Sequence, residues 1–393
     1  MLETKIPQRE ELVRRATELL PLLRSKSLWI EENRRLPQDL IEAIEDSGLL
    51  KMRVPAQYGG YESDARTLID VHAELARGDG SAAFCVSVWS LLSWIAGLFP
   101  DHVIDEVFAE PNVRVCGTLA ASGTAVPVAG GYQFSGEWRF NSGVLHSHWK
   151  FIASLPVGDQ AQFGPVTALV PVSSLQLLDD WHTVGLRGSG SVTAVAQDLF
   201  VSMDWVIPTS AFFTDQCKSE MNASKAMYQV PMLVTSTAAT AGQVVGAAKY
   251  AIESFLERMP GRAVTYTHYT SLAEAPITHL QLGEAMLLTE EAEARAHRFA
   301  DLVDTKAMTN EPWTVAERVR SRVEMGRIAQ LAKSAIDIVA GISGGSSIYD
   351  DVPIQRIQRD VHTISMHALT NPHTNTELYG RLLCGLEPNT DYM

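Results

Sequence analysis

Three long helical patterns after residue 230 constrain the fold more than any other feature. Leu233–Arg258, Ala275–Leu302 and Thr314–Ile342 each keep a helical hydrophobic period for more than 20 residues. Small side chains such as Ala239 and Gly246 recur at helical spacing on the first of them, which allows helices to approach closely. The sequence therefore predicts a C-terminal helical bundle.

The hydrophobic pattern changes twice before this bundle begins. Residues 1–112 have helical periodicity, whereas residues 113–210 contain short β-rich runs separated by Gly, Asp and Ser. The runs are Val113–Leu119, Gly131–Phe140, Trp149–Leu155, Val166–Val170 and Ser191–Val201. We therefore expect an α+β protein with an N-terminal helical domain (1–112), a central β-barrel-like domain (113–210) and a C-terminal four-helix bundle (211–393).

Charge and cysteine usage exclude several classes of protein. The formal net charge of −14 argues against a nucleic-acid partner and against an anionic membrane surface, since both attract clustered Lys and Arg. The apolar stretch Ala82–Pro100 is interrupted by serines and is short for a membrane span. The four cysteines are scattered without a CxxC pair, so we expect a cytoplasmic protein with no metal site.

Two glycine-containing turns are candidate ligand contacts. The turn Phe140-Asn141-Ser142-Gly143 follows a strand-like run and could present a hydroxyl and a backbone N–H to a flat ligand. The Gly344-Gly345 pair ends a long helix and could allow a ligand close to the backbone. A plain turn between strands and an ordinary helix stop are the alternatives for these two places.

The histidines near the C-terminus are candidate acid–base groups rather than metal ligands. His362 and His367 do not have the i, i+4 spacing that would place both on one helix face. A single imidazole near a cavity could act as an acid or a base near neutral pH. A histidine packed in the core is the alternative.

Several motifs in one order resemble the acyl-CoA dehydrogenase superfamily over nearly the whole chain. The motifs are LPQDLIEAIEDSGLLKMRVPAQYGG, GEWRFNSGVLHSHW, VGLRGSGS followed by DLFV, GGSSIYDDVPIQRIQRD, and MHALTNPHTNTELYGRLLCGLEP. They are most similar to the flavin-dependent monooxygenase branch, which includes oxygenase components of two-component phenol and indole hydroxylases, dibenzothiophene monooxygenases and amino-sugar N-oxygenases. The resemblance implies the three-part fold already expected from the pattern.

One substitution decides between the branches of this superfamily. Dehydrogenases commonly carry a catalytic Glu shortly after an Arg-Asp pair, and the equivalent position here is Ala368, preceded by His367. Alanine cannot be a base, so the resemblance implies a monooxygenase in which His367 assists substrate deprotonation or hydrogen-bonds the peroxide. Glu253, on an earlier helix, keeps an acyl-CoA dehydrogenase or oxidase open as an alternative, and N- or S-oxygenation of an amino sugar or thioether is another.

The same resemblance implies the cofactor and its contacts. Reduced flavin, FAD rather than FMN with FMN possible, would react with O₂ to give a C4a-hydroperoxide, and a separate reductase would supply it. Ser142, with Asn141 beside it, would contact flavin N5 or the peroxide. Thr118 and Ser122 would lie along the flavin. Arg262 and the Gly344-Gly345 turn would bind the phosphates of a neighbouring subunit's flavin in a homotetramer.

The helix before the Leu-Phe-Pro step indicates the substrate class. Several phenol-hydroxylating relatives carry a His there, and the aligned position is Leu92 or Ser93. An apolar pocket with Trp89 and Trp94 nearby would suit an indole-type as well as a phenol-type aromatic substrate. Core packing of both tryptophans is the alternative.

Overall fold

The computed structural model describes residues 6–214 and 217–393. Helices occupy the region before residue 110, as the periodicity predicts. They are α1 (Arg9–Glu18), α2 (Leu20–Asn33), α3 (Gln38–Ser47), α4 (Ala65–Ala76), α5 (Gly80–Ala96) and α6 (Asp101–Val107). The apolar repeat near the N-terminus forms two helices that meet at Leu19, because Pro21 lacks the N–H that a continuous helix would need.

A seven-stranded sheet follows these helices, with strand order β5-β6-β2-β1-β3-β4-β7. The strands are β1 (Val115–Val128), β2 (Gly131–Trp138), β3 (Trp149–Pro156), β4 (Val166–Pro171), β5 (Gln176–Leu177), β6 (Ala194–Ser202) and β7 (Val206–Pro208). The sequence pattern missed β5 and β7, which are too short to show an alternation. Among the described residues β5 and β7 do not pair with each other, so the sheet is open where a barrel-like domain was expected.

The centre of the sheet is irregular where β1 lies beside β3. These strands are parallel, and their register shifts between Thr118 and Gly123. A strand that bulges in this way turns side chains away from its partner. Thr118 and Ser122 both lie in this irregular segment, and Ser122 is exposed.

The remaining helices form the C-terminal part. They are α7 (Met232–Arg258), α8 (Pro276–Thr309), α9 (Val315–Ile342), α10 (Pro353–Ser365) and α11 (Pro372–Leu383). Helix α7 crosses α4 at glycine: a Cβ on Gly246 would lie 2.0 Å from the Ala73 carbonyl oxygen. The predicted role of small residues in close helix packing is therefore confirmed, although the crossing joins the bundle to the N-terminal helices.

Two large hydrophobic cores hold these parts together. One joins the N-terminal helices to α7–α10. The other contains the end of α5, the start of α7 and side chains of β1, β3 and β4. The sheet is therefore anchored on helices from both ends of the chain. No helix among the described residues is long and apolar enough to cross a membrane.

Candidate active site

The turn after β2 is a strained and tightly fastened segment. Phe140 and Gly143 have positive φ angles of 62° and 73°, and left-handed backbone is unusual for a bulky residue such as Phe140. Asn141 is fully buried, and its Nδ2 donates to the carbonyl oxygens of Trp138 (2.5 Å) and Val192 (2.7 Å). Asn141 therefore fixes the turn to the neighbouring segment, while Ser142 keeps an exposed fraction of 9%.

Trp89 on α5 supports this turn from behind. Its Nε1 donates to Ser147 Oγ at 3.0 Å, and Ser147 Oγ donates to the Gly143 carbonyl at 2.8 Å. A Cβ on Gly143 would lie only 2.5 Å from the indole Nε1. The indole is 1% exposed. Trp89 therefore packs as a core side chain, the alternative that the sequence left open, and its position sets where Ser142 can lie.

Ser142 is the end of a chain of buried hydroxyl groups that the sequence pattern did not reveal. Its Oγ lies 2.8 Å from Ser191 Oγ, which lies 2.7 Å from Ser189 Oγ. Ser189 Oγ in turn donates to the Leu186 carbonyl at 2.7 Å. Local sequence suggests only a glycine- and serine-rich turn at Gly185–Ser191, because the contacts to Ser142 come from distant residues.

Helix α10 fastens this serine-containing loop to the bundle. The Leu186 N–H donates to Asp360 Oδ1 at 2.6 Å, and Asp360 is buried. Burial, with the nearby Asp79 carboxylate, raises the pKa of Asp360 to about 7. The Arg-Asp pair of the C-terminal motif thus connects α10 to the loop that holds Ser142.

His367 lies in the turn between α10 and α11. The side chain is exposed, yet enough protein surrounds it for desolvation to lower its pKa. A group with both properties lies in a recess rather than on a convex surface. Its Nδ1 accepts a hydrogen bond from the Leu369 N–H at 3.2 Å, so the neutral ring carries its proton on Nε2.

Leu92 and Trp94 belong to the core beside this turn. Leu92 is 6% exposed and shares a hydrophobic cluster with Leu119, Trp149, Phe213 and Leu369, all of which are only partly buried. These four partly buried side chains were missed because they come from four separate elements. The cluster contains the turn next to His367 and the candidate pocket position Leu92.

Trp94 has a packing role in the same cluster. Its Nε1 donates to the Met227 carbonyl at 2.8 Å, and its ring stacks on Tyr228 with centroids 5.6 Å apart. With an exposed fraction of 2%, Trp94 is packed as a core side chain, like Trp89.

The two β1 candidates present polar groups beside the register shift. Thr118 Oγ1 accepts from the Ala120 N–H at 3.2 Å, and Ser122 Oγ donates to the Glu137 carbonyl at 3.0 Å. Both hydroxyl groups therefore have local backbone partners. They lie on the accessible side of β1, where a planar ligand could contact the strand.

Arg262 and the Gly344-Gly345 turn form a second, separate group. Arg262 Nη2 donates to Ser346 Oγ at 2.8 Å and to the Ser343 carbonyl at 3.0 Å. A Cβ on Gly345 would meet nothing within 4 Å. Partial burial and the neighbouring Arg262 lower the pKa of Arg258, whose Nη2 lies 3.5 Å from Ser346 Oγ. Two guanidinium groups beside an open glycine turn can bind an anion such as a phosphate.

Glu253, the alternative base, is held in ion pairs. Its carboxylate accepts from Arg24 Nη2 at 2.6 Å and from Arg77 Nε at 2.8 Å. Both carboxylate oxygens of Glu253 are therefore engaged by guanidinium groups. Glu253 connects α7 to α2 and to the end of α4.

The structure brings some of the sequence-predicted residues together in two groups, whereas Thr118, Ser122, Leu92, Trp94 and His367 have other partners. Trp89 packs against Gly143, the residue after Asn141 and Ser142, and Arg262 lies against Gly344 beside Gly345. Among the described residues, no hydrogen bond or ion pair directly joins Ser142 to Arg262. The described residues also contain no group of three or more His, Cys, Asp or Glu side chains that could hold a metal ion.

Comparisons with known proteins agree with this fold. Residues 13–98 match the model of the acyl-CoA dehydrogenase N-terminal domain, and residues 238–372 match that of the C-terminal domain. The structure of XiaF from Streptomyces sp. in complex with FADH2 and glycerol superposes with a TM-score of 0.91 at 30% identity, covering 97% of each chain.

Two curated relatives also align over nearly the whole chain. The flavin-dependent monooxygenase oxygenase subunit HsaA of Mycobacterium tuberculosis is 26% identical over 98% of both chains. The FADH(2)-dependent resorcinol hydroxylase oxygenase component of Rhizobium sp. is 28% identical over 97% of this chain and 96% of the relative. The fold class predicted from sequence is confirmed, and the chain belongs to the acyl-CoA dehydrogenase superfamily, in its flavin-dependent monooxygenase branch.

Proposed function

We propose that this protein is the oxygenase component of a two-component system that hydroxylates a small aromatic or heteroaromatic substrate with reduced flavin and O₂. The observation that carries this proposal is the pairing of His367 with Ala368, where a dehydrogenase would need a carboxylate. The other candidate base, Glu253, is held by Arg24 and Arg77. The motif position where a dehydrogenase carries its catalytic Glu therefore holds a methyl group beside an imidazole.

The chain's own residues fit a bound flavin. Ser142 offers a hydroxyl at a fixed turn, and Thr118 and Ser122 line the adjacent strand. Arg262 and Arg258 offer two positive charges at an open glycine turn, which suits the two phosphates of FAD better than the single phosphate of FMN. When bound, reduced flavin supplies the electrons that activate O₂ for transfer of one oxygen atom to the substrate.

His367 acts as a hydrogen-bond donor in this proposal. Because its Nδ1 accepts from the Leu369 N–H, the neutral ring has only an Nε2–H to offer to a ligand. Of the two roles that the resemblance allows, this favours a hydrogen bond to the oxygen or to the substrate over removal of a substrate proton. The lowered pKa keeps the ring neutral at pH 7.

The substrate pocket is apolar at the position where a phenol-hydroxylating relative carries a His. Leu92 and the partly buried side chains of its cluster, Leu119, Trp149, Phe213 and Leu369, can contact an aromatic ring without an ionisable group. We infer an indole-type or phenol-type substrate. Trp89 and Trp94 shape the pocket from behind rather than by touching the ring.

The proposed flavin site contains residues from two copies of the chain. We infer that the flavin ring and the flavin phosphates are bound by different copies of the chain in a homotetramer, as the resemblance to the acyl-CoA dehydrogenase superfamily implies for Arg262 and Gly344-Gly345. A separate flavin reductase would supply the reduced cofactor. A cytoplasmic location stays a prediction from the scattered cysteines.

The direct test is to mix the protein anaerobically with photoreduced FAD and then with O₂ and a panel of indoles and phenols. We expect a hydroxylated product with one or more of these substrates, together with less H₂O₂ than free flavin produces. Release of all O₂ as H₂O₂ with every substrate would contradict the proposal. Anaerobic bleaching of bound oxidised FAD by an acyl-CoA would instead support a dehydrogenase.

A further inference from the structure

The buried serine chain behind Ser142 has a fixed direction. We propose that Ser189 and Ser191 are positioning residues that make the Ser142 hydroxyl a hydrogen-bond acceptor, so that the site favours the N5–H of reduced flavin over the unprotonated N5 of oxidised flavin. This inference rests on the proposed function, in which Ser142 contacts flavin N5.

The direction starts at the Leu186 carbonyl. This oxygen accepts from the Ser189 N–H (3.1 Å), from Trp181 Nε1 (3.0 Å) and from Ser189 Oγ (2.7 Å). A carbonyl can only accept, so the single hydroxyl proton of Ser189 must point to Leu186. Turning that proton elsewhere would leave two oxygen lone pairs facing each other at 2.7 Å.

The directions of the Ser191 and Ser142 hydroxyl protons follow from the direction of the Ser189 proton. Because the Ser189 proton is used, the 2.7 Å contact between Ser189 Oγ and Ser191 Oγ requires Ser191 to donate. The 2.8 Å contact between Ser191 Oγ and Ser142 Oγ then requires Ser142 to donate. The proton of Ser142 is therefore directed into the protein, and only its lone pairs are left for a ligand.

Burial and backbone anchoring keep this order fixed. The exposed fractions of Ser189 and Ser191 are 2% and 3%, so water cannot readily replace either partner. The Leu186 N–H donates to the buried Asp360 carboxyl, and Leu186 itself has a left-handed φ of 51°. The acceptor that begins the chain is thus held by α10.

The chemistry of flavin makes this direction matter. Reduced flavin carries a proton on N5 and can donate to Ser142, whereas oxidised flavin has a lone pair there and would face the lone pairs of Ser142. An oxygenase that receives reduced flavin from another protein and must release the oxidised form gains from this difference. The serine chain therefore acts on the redox preference of the site through Ser142.

The test is the ratio of dissociation constants for oxidised and reduced FAD, measured by anaerobic and aerobic titration of the full-length protein. In Ser189→Ala, Ser191 loses its acceptor and can turn its proton to Ser142, whose own proton can then point outward. We expect the oxidised-to-reduced ratio to fall about tenfold, which lowers the potential of bound flavin by about 30 mV for a two-electron couple. Ser191→Ala should change the ratio in the same direction.

Two further variants separate this role from packing. Ser189→Thr keeps the hydroxyl and should restore the wild-type ratio. Ser87→Ala removes another buried hydroxyl, one that donates to the Ala239 carbonyl at 2.9 Å, and should leave the ratio unchanged. Equal weakening of both flavin forms in Ser189→Ala and Ser191→Ala would overturn this inference alone. Absence of flavin binding in the wild-type protein would overturn the proposed function as well.

Discussion

The Ser142 turn and the Arg262 group differ in how completely one chain forms them. Asn141, Ser142 and Gly143 are buried, and the Asn141 Nδ2 group and the serine hydroxyls that hold the turn already have protein partners. The Arg262 group is open: it contains two guanidinium groups and Gly345, where an added Cβ would meet no atom within 4 Å. The first region is preorganised before any ligand arrives, whereas the second offers charge to a ligand that the chain itself does not supply.

The largest expected effect comes from adding one methyl group to each region. In Gly143→Ala, the Cβ would occupy a left-handed backbone position and collide with Trp89, so we expect a loss of about 2–5 kcal/mol in the free energy of unfolding. In Gly345→Ala, the Cβ meets open space, and stability should be unchanged. Chemical denaturation of both variants measures the contrast. Equal stability of the two would show that the turn is not rigid.

The next effect concerns charge rather than packing. Removal of the guanidinium in Arg262→Ala should weaken binding of reduced FAD by about tenfold to a hundredfold, because charge-assisted hydrogen bonds to phosphate are strong. Arg258→Ala should weaken binding less, since Arg258 lies farther from Ser346. Arg14→Ala, which removes a surface charge paired with Glu11, is the matched control. Wild-type affinity in Arg262→Ala would remove this group from the flavin site.

The smallest of these effects concerns His367, in the turn between α10 and α11. His367→Ala should lower the fraction of O₂ that appears as product by about tenfold while flavin binding survives, since one hydrogen bond is lost. His367→Gln, which keeps an N–H donor, should retain part of the product. A His367 that acts as a base would lose the same activity in both variants.

The pH profile of this product fraction gives a second check on His367. Its pKa is lowered from 6.5, so the wild-type fraction should stay constant near neutral pH. It should fall as acid protonates the ring and sets Nδ1–H against the Leu369 N–H. A fraction that rises as pH falls would contradict the donor role.

Sequence reasoning predicted the architecture and the pairing of Arg262 with Gly344-Gly345. Long periodic helices such as Val315–Ile342 carry a strong signal, and the family motifs keep their order. The short strands β5 and β7 escaped detection because two or three residues show no alternation. The family resemblance predicts a flavin contact for Ser142 but did not reveal Ser189 and Ser191 behind it, since hydroxyl contacts between distant loops depend on tertiary structure.

The predicted pocket residues Trp89 and Trp94 also depend on tertiary contacts that the sequence does not show. Trp89 and Trp94 look like aromatic pocket walls in sequence, yet hydrogen bonds to Ser147 and to the Met227 carbonyl fix both indoles in the core. Periodicity places a side chain on a helix face but does not say whether a ligand or another element covers that face. The burial of both indoles in the folded chain shows that other elements of the protein cover them.

In the proposed assembly, one flavin site uses Ser142 from one copy of the chain and Arg262 from another. Co-expression of Ser142→Ala with Arg262→Ala and purification of the mixed assembly test this claim directly. If the two groups belong to different copies, the mixed assembly contains some sites with both residues intact. It should then bind reduced FAD at a concentration that leaves both parent variants empty. Binding no greater than that of the two parents would contradict the claim and place both residues in one chain's site.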